Sequence, residues 1–491
     1  MPHTRDPLHS SPNGAEPSAA AGVRPRLTVV PGGKEEAPPL RLVEPPPAPP
    51  EPPPWRVGGR GFYLSVRARF VASVAAGLAW AGLSAWLALP WILDLGRAIT
   101  LPLAVAIIAG IAVIPGYLNV QLVTSLALDR PRPLGVLPAY PGLTLLIAAY
   151  NEEGSIEETL VYALRQDYPG ELVIVVADDG SSDATPEIVR RASLEHKRVR
   201  LVSTSHAGKA SALNAALASV ETPLVATIDA DTLLMPYALR HAVSRLRTSP
   251  PDTVEVAGSV LVRNSRENVL ARVQEWDYFL GIASVKREQA LLQGTLVAQG
   301  AFSVYDAKAL RAAGGWPDMI GEDIVLTWAM IRKGGRVTFE PTAIAFTEVP
   351  TELRHFVRQR QRWARGMIEA LCAHGSALVR VRKTRTHSIA ANYLFPYLDG
   401  VYTLAVIPGI VLACLGNFAI VGPMTAAVLP ISTTAAMVMY VRQRRVFSKL
   451  GLRVRWNPVG FLLYLLVYQL VMSPISFAGY VKELVQARRV W

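Results

Sequence analysis

The chain has 491 residues, of which 51% are hydrophobic and 18% are charged. This balance is more apolar than that of an ordinary soluble enzyme, and it predicts membrane segments. The formal net charge of +12 fits an anionic membrane surface or an anionic substrate; nucleic acid is disfavoured as a partner because the basic clusters border apolar spans. The two cysteines, Cys372 and Cys414, lie in no CxxC or His/Cys pattern, so neither a structural zinc site nor a disulfide framework is predicted.

The N-terminal part of the chain divides into a tail and an apolar hairpin. Residues 1–59 contain proline-rich runs such as EPPPAPPEPPP and too few apolar residues for a core, which predicts a disordered tail that is not a signal peptide. Within residues 60–128, the apolar runs Phe70–Ile92 and Leu101–Leu126 can each cross a hydrocarbon layer of about 30 Å as a helix. Basic residues flank the outer ends of this hairpin, including Arg130 and Arg132, so both ends are predicted to be cytosolic.

Residues 387–491 are predicted to form a second membrane region. Its apolar segments are Ile389–Leu415, Phe418–Tyr440 and Gly460–Tyr480, and the loop between the last two has six basic side chains and no acid. That loop is predicted to be cytosolic. Three crossings would place the basic C-terminal end on the opposite side, so one segment is expected to be re-entrant or interfacial.

Between these regions, residues 142–350 alternate short apolar runs with helical patterns. The runs LTLLIAAY, ELVIVVA, RVRLVS and PLVATIDAD predict strands, and Ser155 with Glu158 has capping-box spacing for the helix after the first strand. Such alternation predicts a parallel sheet covered on both faces, and sheets of this kind bind ligands at the carboxyl ends of their strands.

Acidic residues stand at those strand ends. Asp178 and Asp179 close the second strand, and Asp229 and Asp231 close the fourth. Along an extended segment the last two side chains would share a face about 6 to 7 Å apart, and hard carboxylate oxygens suit Mg²⁺ or Mn²⁺ bound together with a diphosphate. The alternative is that each Asp forms a turn or caps a helix. The chain has neither a P-loop nor a GxGxxG fingerprint, so a nucleotide would be held in another way.

The ordered motifs AAYNEE, ADDGSSD, HAGKASALNAAL, TIDADT, GED and QRQRW resemble those of the processive family-2 membrane glycosyltransferases, which include cellulose, chitin, hyaluronan and poly-N-acetylglucosamine synthases. Within the family, segments such as GGWPDMIGEDIVLTWAMIRKGGRVTFEP are most similar to bacterial poly-β-1,6-N-acetylglucosamine synthases. The resemblance implies an α/β fold: a cytosolic GT-A domain, Rossmann-like with a mostly parallel sheet, inserted between α-helical transmembrane segments. Residues 351–386 would then be amphipathic interface helices that contain the QxxRW motif.

The resemblance also assigns the donor site. It implies that Ala148, Tyr150 and Glu152 line a uridine pocket and that Asp179 bonds the base.

The resemblance further implies that Lys209 lies near the nucleotide. Asp229 and Asp231 would form an Asp pair, of which Asp231 is the more direct metal ligand.

For the transfer step, the resemblance makes Asp323 the candidate base that takes the proton of the acceptor hydroxyl, with Glu322 beside it. Relatives more often have Thr-Glu-Asp, and here Gly321 replaces the Thr. The alternatives are that Glu322 is the acid that matters, or that the pair only starts a helix, where carboxylates favour the positive end of the dipole.

The segment LRHFVRQRQRWARGMIEAL has helical apolar spacing and places Gln359, Arg362 and Trp363 on one face. Arg362 would stabilise the departing diphosphate, and Trp363 would offer a flat face to the acceptor sugar. The remaining arginines, Arg358, Arg360 and Arg365, are predicted to face anionic headgroups. The alternative is a membrane-surface helix without catalytic duty.

Two further segments, QEWDYFLGIASVKREQ and LVAQGAFSVYDAKAL, resemble the acceptor side of the family. Gln299 and Gly300 stand where relatives often have Ser-Gly, and Trp276 and Tyr278 are expected in the core.

Together these features predict a multi-pass enzyme of the bacterial inner membrane with a cytosolic catalytic domain. It would polymerise N-acetylglucosamine from its UDP conjugate onto a growing β-linked chain and couple synthesis to export. Its partners would be the UDP-sugar, the polysaccharide acceptor, the lipid bilayer and, optionally, a small membrane accessory subunit. The alternatives are another β-glycan synthase of the hyaluronan, chitin or cellulose type, a lipid glycosyltransferase that adds one sugar, and a non-catalytic transporter or binding protein that retains the fold.

Overall fold

The computed structural model describes residues 64–129, 134–291, 295–378, 384–422, 425 and 428–486. The tail predicted over residues 1–59 lies outside the described residues, as do Arg130 and Arg132.

Four described helices are long and apolar enough to cross a membrane. The expected Phe418–Tyr440 crossing is not among them; the helix there, Val428–Lys449, ends in a basic stretch, and its Ala435 and Phe447 pack against the end of the second span and against the domain between the spans. The described part of the chain therefore has two candidate spans on each side of that domain. They are α1 (Val66–Ala98), α2 (Leu101–Ala127), Ala390–Cys414 and Pro458–Leu484.

The domain between the spans is built on one eight-stranded mixed sheet in the order β3-β2-β1-β4-β7-β6-β8-β5. The first four strands in this order run parallel, as the sequence predicts, because each is an apolar run followed by a crossover helix. β7 is antiparallel to both of its neighbours, so the second half of the sheet is mixed. The strands are β1 (Leu143–Ala149), β2 (Leu172–Asp178), β3 (Val199–Ser203), β4 (Leu224–Asp229), β5 (Leu233–Leu234), β6 (Thr253–Val262), β7 (Phe302–Asp306) and β8 (Arg336–Thr347).

Helices cover the sheet and bury its apolar strands. Leu146, Val175 and Val225 of three neighbouring strands are buried beneath Leu213 and Ala216 of one crossover helix. Burial of this kind stabilises a fold by about 25 cal/mol per Å² of apolar surface. The domain's helices are α3 (Ile156–Leu164), α4 (Thr185–Glu195), α5 (Lys209–Ala218), α6 (Ala238–Thr248), α7 (Val269–Trp276), α8 (Ala283–Leu291), α9 (Ala307–Ala313) and α10 (Glu322–Arg332), with a π-helical turn Asp277–Ile282 between α7 and α8.

A long helix, α11 (Leu353–Leu378), follows this domain in the chain and packs against the last span. Its Ala364 lies so close to Gly479 of that span that a Cβ added to the glycine would be 2.8 Å from the alanine Cβ. Arg365 is buried and its Nε donates to Glu483 Oε2 at 2.8 Å. The prediction that Arg365 faces headgroups is therefore wrong, because this side of α11 packs against protein.

Candidate active site

The predicted ligand residues meet at the carboxyl edge of β1, β2 and β4. Ala148 is in register with Asp229, the last residue of β4, and the Ala148 carbonyl accepts a hydrogen bond from Ala230 N at 3.1 Å. The strand ends there, because Thr232 N donates to Asp229 O at 3.0 Å and closes a turn that contains Asp231. The prediction that Asp229 and Asp231 lie on one extended segment is thus wrong. A turn brings Asp231 to the same edge of the sheet.

Asp179 organises the loop before α5. Its Oδ1 accepts hydrogen bonds from Ala207 N at 2.9 Å and Gly208 N at 3.0 Å, and its Oδ2 lies 2.9 Å from His206 Nδ1. Gly208 has a φ of +97°, which a residue with a side chain rarely adopts. In this arrangement the Asp179 carboxylate fixes the loop that starts with His206.

A stacked aromatic pair lies over this edge. The rings of Tyr150 and His206 are 4.3 Å apart between centroids and 19° from parallel, and Tyr150 is largely exposed. A flat, accessible ring of this kind can stack on a nucleobase. Sequence reasoning singled out Tyr150 and missed His206, although it lies three residues before Lys209.

Lys209 lies among the acids. Its Nζ donates to Asp229 Oδ1 and is 3.6 Å from Glu322 Oε1. Burial lowers the pKa of Lys209, but the carboxylates of Asp229 and Glu322 more than offset it, so the pKa is raised and the ammonium stays charged. One cation therefore joins the end of β4 to the start of α10.

Asp231 is held by two threonine hydroxyls. Its Oδ1 accepts hydrogen bonds from Thr347 Oγ1 at 3.1 Å and Thr232 Oγ1 at 3.2 Å. Burial, followed by the negative charges of Asp229 and Glu152, raises the pKa of Asp231 to about 7. Crowded carboxylates of this kind fit a divalent cation, whose charge offsets their repulsion.

The donor set at this point is small. No three His, Cys, Asp or Glu side chains converge into a metal-binding group among the described residues. Two hard carboxylates suit an ion that takes its remaining ligands from a diphosphate and water. Glu152 lies nearby and accepts a hydrogen bond from Ser155 Oγ at 2.5 Å, so the predicted capping box is not formed by Ser155.

Glu322 and Asp323 are the first two residues of α10, so they start the helix and also belong to the site. Asp323 Oδ1 accepts from Ile324 N at 2.7 Å, and its Oδ2 accepts from Gly300 N at 3.2 Å. Burial raises the pKa of Glu322 to about 7, against the opposing positive charges of Lys209 and Arg362. The carboxylate of Asp323 is thus oriented by two backbone amides.

The packing around Gly321 explains why no side chain stands at this position. A Cβ on Gly321 would lie 2.6 Å from Gly366 Cα and 2.9 Å from Ile324 Cγ2. Gly321 N also donates to Glu369 Oε2 at 3.0 Å. The start of α10 is therefore seated on α11 through a contact between two glycine backbones, which leaves no room for a side chain.

Two residues of the QxxRW motif face solvent, and the third is half-buried. Arg362 and Trp363 are exposed, whereas Gln359 is half-buried and its Oε1 has no hydrogen-bond partner in the described part of the chain. The positive charge of Arg362 opposes the rise in the pKa of Glu322. Arg360 is only 2% exposed, so the prediction that it faces headgroups is wrong; Arg358 is exposed, and its contact with headgroups stays a prediction.

Behind Asp323 lies a buried polar group that sequence reasoning did not identify. Lys286 Nζ donates to Gln299 Oε1, and Gln299 Nε2 donates to Gly258 O at 3.1 Å. Burial lowers the pKa of Lys286 to about 7, against the charges of Asp323 and Glu255, and burial raises the pKa of Glu255. Trp276 and Tyr278 are buried, which confirms their assignment to the core.

Comparison with known proteins defines the class. Residues 141–366 match the family described as Glycosyltransferase like family 2, and this region is a family-2 glycosyltransferase domain. The resemblance seen in the sequence motifs is thereby confirmed for this domain.

Similar curated proteins include poly-β-1,6-N-acetyl-D-glucosamine synthases. The chain is 32% identical over 231 residues to the synthase of Staphylococcus aureus (strain MSSA476), a match that covers 47% of this chain and 55% of the relative. It is 30% identical over 243 residues to the synthase of Staphylococcus epidermidis, covering 49% and 58%. The chain thus spans a little over half the length of the curated relatives it matches.

A solved structure supports the fold. The chain superposes on a mannosyltransferase from Pyrobaculum calidifontis in complex with GDP-Man and Mn²⁺ with a TM-score of 0.50, at 22% identity, covering 86% of this chain and all of that one. The GT-A-like fold predicted from the sequence is confirmed, including membrane-length helices on both sides of the catalytic domain.

Proposed function

We propose that this protein is a processive, inverting glycosyltransferase that polymerises N-acetylglucosamine from UDP-N-acetylglucosamine into a β-1,6-linked glycan. The supporting observation is the convergence of Lys209, Asp229 and Glu322 at one edge of the sheet, with Asp231 and Asp323 beside them. The similarity to poly-β-1,6-N-acetyl-D-glucosamine synthases supports the choice of sugar and linkage.

The donor would lie across the carboxyl edge of the sheet. Its base stacks on Tyr150, whose ring His206 supports from the other face, and the backbone around Ala148 and Glu152 lines the pocket. Asp179 acts by holding the loop that leads to Lys209, and Lys209 and Arg362 attract the diphosphate. A divalent cation, Mg²⁺ or Mn²⁺, would be held by Asp231 and Asp229 and would neutralise diphosphate charge.

Transfer needs a base on the acceptor side. Asp323 takes the proton of the acceptor hydroxyl while that oxygen forms a bond to the anomeric carbon and the bond from that carbon to the phosphate oxygen breaks, releasing UDP with inversion. The amides of Gly300 and Ile324 hold the Asp323 carboxylate in one orientation. The acceptor sugar stacks on Trp363, which is 40% exposed on α11.

Export would follow from the position of this helix. α11 packs against the last candidate span, so the acceptor leaves the site next to membrane helices. A polar polymer that entered hydrocarbon without such a path would lose the hydrogen bonds of its hydroxyls, at a large cost in free energy. The protein would lie in the bacterial inner membrane with this domain in the cytosol, and a small accessory subunit is an optional partner.

The proposal is tested with purified full-length protein in nanodiscs and radiolabelled UDP-sugars. Wild type should form polymer from UDP-N-acetylglucosamine, and Asp323→Asn should lower turnover by about 10²- to 10⁴-fold while UDP affinity stays within about twofold, because only the base is lost. Asp306→Asn is the matched control, since Asn also caps a helix and Asp306 caps α9 through Ala309 N at 3.0 Å. Full turnover by Asp323→Asn would remove Asp323 as the base. No turnover by wild type with any UDP-sugar would favour the transporter alternative.

A further inference from the structure

Arg360 is a buried guanidinium inside the QxxRW segment. Neither the proposed donor contacts nor the proposed proton transfer involves it. It lies on α11 between the solvent-facing Arg358 and Arg362, yet its own side chain points into the protein. Burying an isolated charge is costly, so such a group persists only where a counter-charge and packing hold it. The contacts of Arg360 show what holds it.

The counter-charge comes from the π-helical turn of the catalytic domain. Arg360 Nη2 lies 3.1 Å from Asp277 Oδ2, and the same oxygen accepts a hydrogen bond from Tyr468 Oη at 2.8 Å. Tyr468 lies within the last candidate span, Pro458–Leu484. Asp277 therefore joins the interface helix, the catalytic domain and the membrane span at one carboxylate.

The guanidinium also packs on aromatic rings. Arg360 Cζ is 4.1 Å from the ring centroid of Trp363, 5.2 Å from that of Phe356 and 5.8 Å from that of Tyr278. A cation over an indole face within about 6 Å is attracted to it, and the attraction is strongest when the cation is desolvated. One face of Trp363 is thus covered by Arg360, and the exposed remainder of the indole is left for a ligand.

Tyr278 of the π-helical turn also packs in this cluster. Burial raises the pKa of Tyr278 to about 12; the charge of Arg360 opposes this, and the charges of Asp277, Asp231 and Asp229 add to it. Its ring centroid is 6.3 Å from that of Trp363. Tyr278 is therefore part of the Arg360 cluster and lies beside Trp363.

We propose that Arg360 is a positioning residue: held by Asp277 and Tyr468, it backs one face of Trp363 and fixes the opposite face as the platform for the acceptor sugar. This inference rests on the proposed function, in which Trp363 binds the acceptor. Because Tyr468 belongs to a membrane span, the same contacts tie the platform to the helices along which the glycan would leave. Loss of Arg360 should therefore weaken acceptor binding and shorten the product, and leave the donor site in place.

The test compares two buried arginines of α11. Arg360→Met should raise the KM for a β-1,6-linked N-acetylglucosamine pentasaccharide by about 5- to 30-fold, the effect of losing about 1 to 2 kcal/mol of stacking support, with UDP affinity within about twofold. Arg365→Met removes another buried arginine of the same helix, one that pairs with Glu483 of the last span. It should lower the melting temperature but leave the pentasaccharide KM within about twofold.

Two milder variants guard against misfolding. Arg360→Lys keeps the charge but not the planar fork, and Tyr468→Phe removes only the hydrogen bond to Asp277; each should raise the same KM by about 2- to 5-fold. The inference is overturned if the pentasaccharide KM of Arg360→Met stays within twofold of wild type, or if Arg365→Met raises it equally. If wild type shows no transfer, the proposed function fails, and calorimetric binding of the pentasaccharide to wild type and to these variants then decides the inference separately.

Discussion

Gly321→Ala is the substitution whose effect follows most directly from the structure. The new Cβ would lie 2.6 Å from Gly366 Cα, whereas ordinary van der Waals contact begins at about 3.4 Å. The obstacle is backbone, which cannot rotate away, so the start of α10 and α11 must separate by about 0.8 Å. Glu322 and Asp323 would move with α10, away from Arg362 and Trp363 on α11.

The expected cost is large for one methyl group. Overpacking of this kind destabilises by about 1 to 3 kcal/mol, which corresponds to a fall in melting temperature of about 2 to 10 °C for a domain of this size. A displacement approaching 1 Å between catalytic groups lowers turnover by up to about 10²-fold. Gly366→Ala should act in the same direction but destabilise less, because Ala inside a helix recovers about 1 kcal/mol.

The assay measures polymer formation and the melting temperature in nanodiscs. Gly154→Ala is the matched control, because nothing lies within 4 Å of the added Cβ and the backbone there is compatible with a side chain. If Gly321→Ala keeps wild-type turnover and stability, the glycine contact does not seat α10 on α11, and the explanation of the missing Thr is wrong.

Three further results are expected. Asp179→Asn should weaken UDP binding by about 5- to 10-fold in calorimetry, because a neutral amide holds the amides of Ala207 and Gly208 less strongly; unchanged affinity would contradict the ordering role of Asp179. In wild type the folded pKa of Lys286 is lowered from 10.5 to about 7, so the melting temperature should fall as the pH drops through that window and level off below it. Lys286→Met should lack this pH dependence. Identical pH profiles of the melting temperature for wild type and Lys286→Met would refute the lowered pKa. Dialysis against EDTA should abolish turnover and Mn²⁺ or Mg²⁺ should restore it; turnover that survives chelation would exclude a required cation at Asp231.

The sequence predicted much of the fold because the relevant signals are local. An apolar run followed by a helical pattern is sufficient to predict β1, β2 and β4 and their parallel order, and it placed acids at their carboxyl ends. β7 inserts antiparallel between β4 and β6, which no local pattern indicates, since strand direction in a mixed sheet depends on long-range packing.

The candidate site was predicted less completely, because burial is a tertiary property. Helical spacing predicts that three arginines of α11 face the membrane surface. Arg360 and Arg365 instead pair with Asp277 and Glu483, which lie far from them along the chain. The Gly321 departure likewise has no explanation until Gly366 is brought against it.

Analysis of the product tests most directly whether this protein polymerises N-acetylglucosamine. Purified full-length protein in nanodiscs is supplied with radiolabelled UDP-N-acetylglucosamine, and the product is sized and digested with hydrolases specific for β-1,6, β-1,4 and β-1,3 linkages. Long chains that only the β-1,6-specific enzyme degrades are expected. A product limited to one sugar on a lipid, or polymer formed only from a different UDP-sugar, would contradict the proposed function.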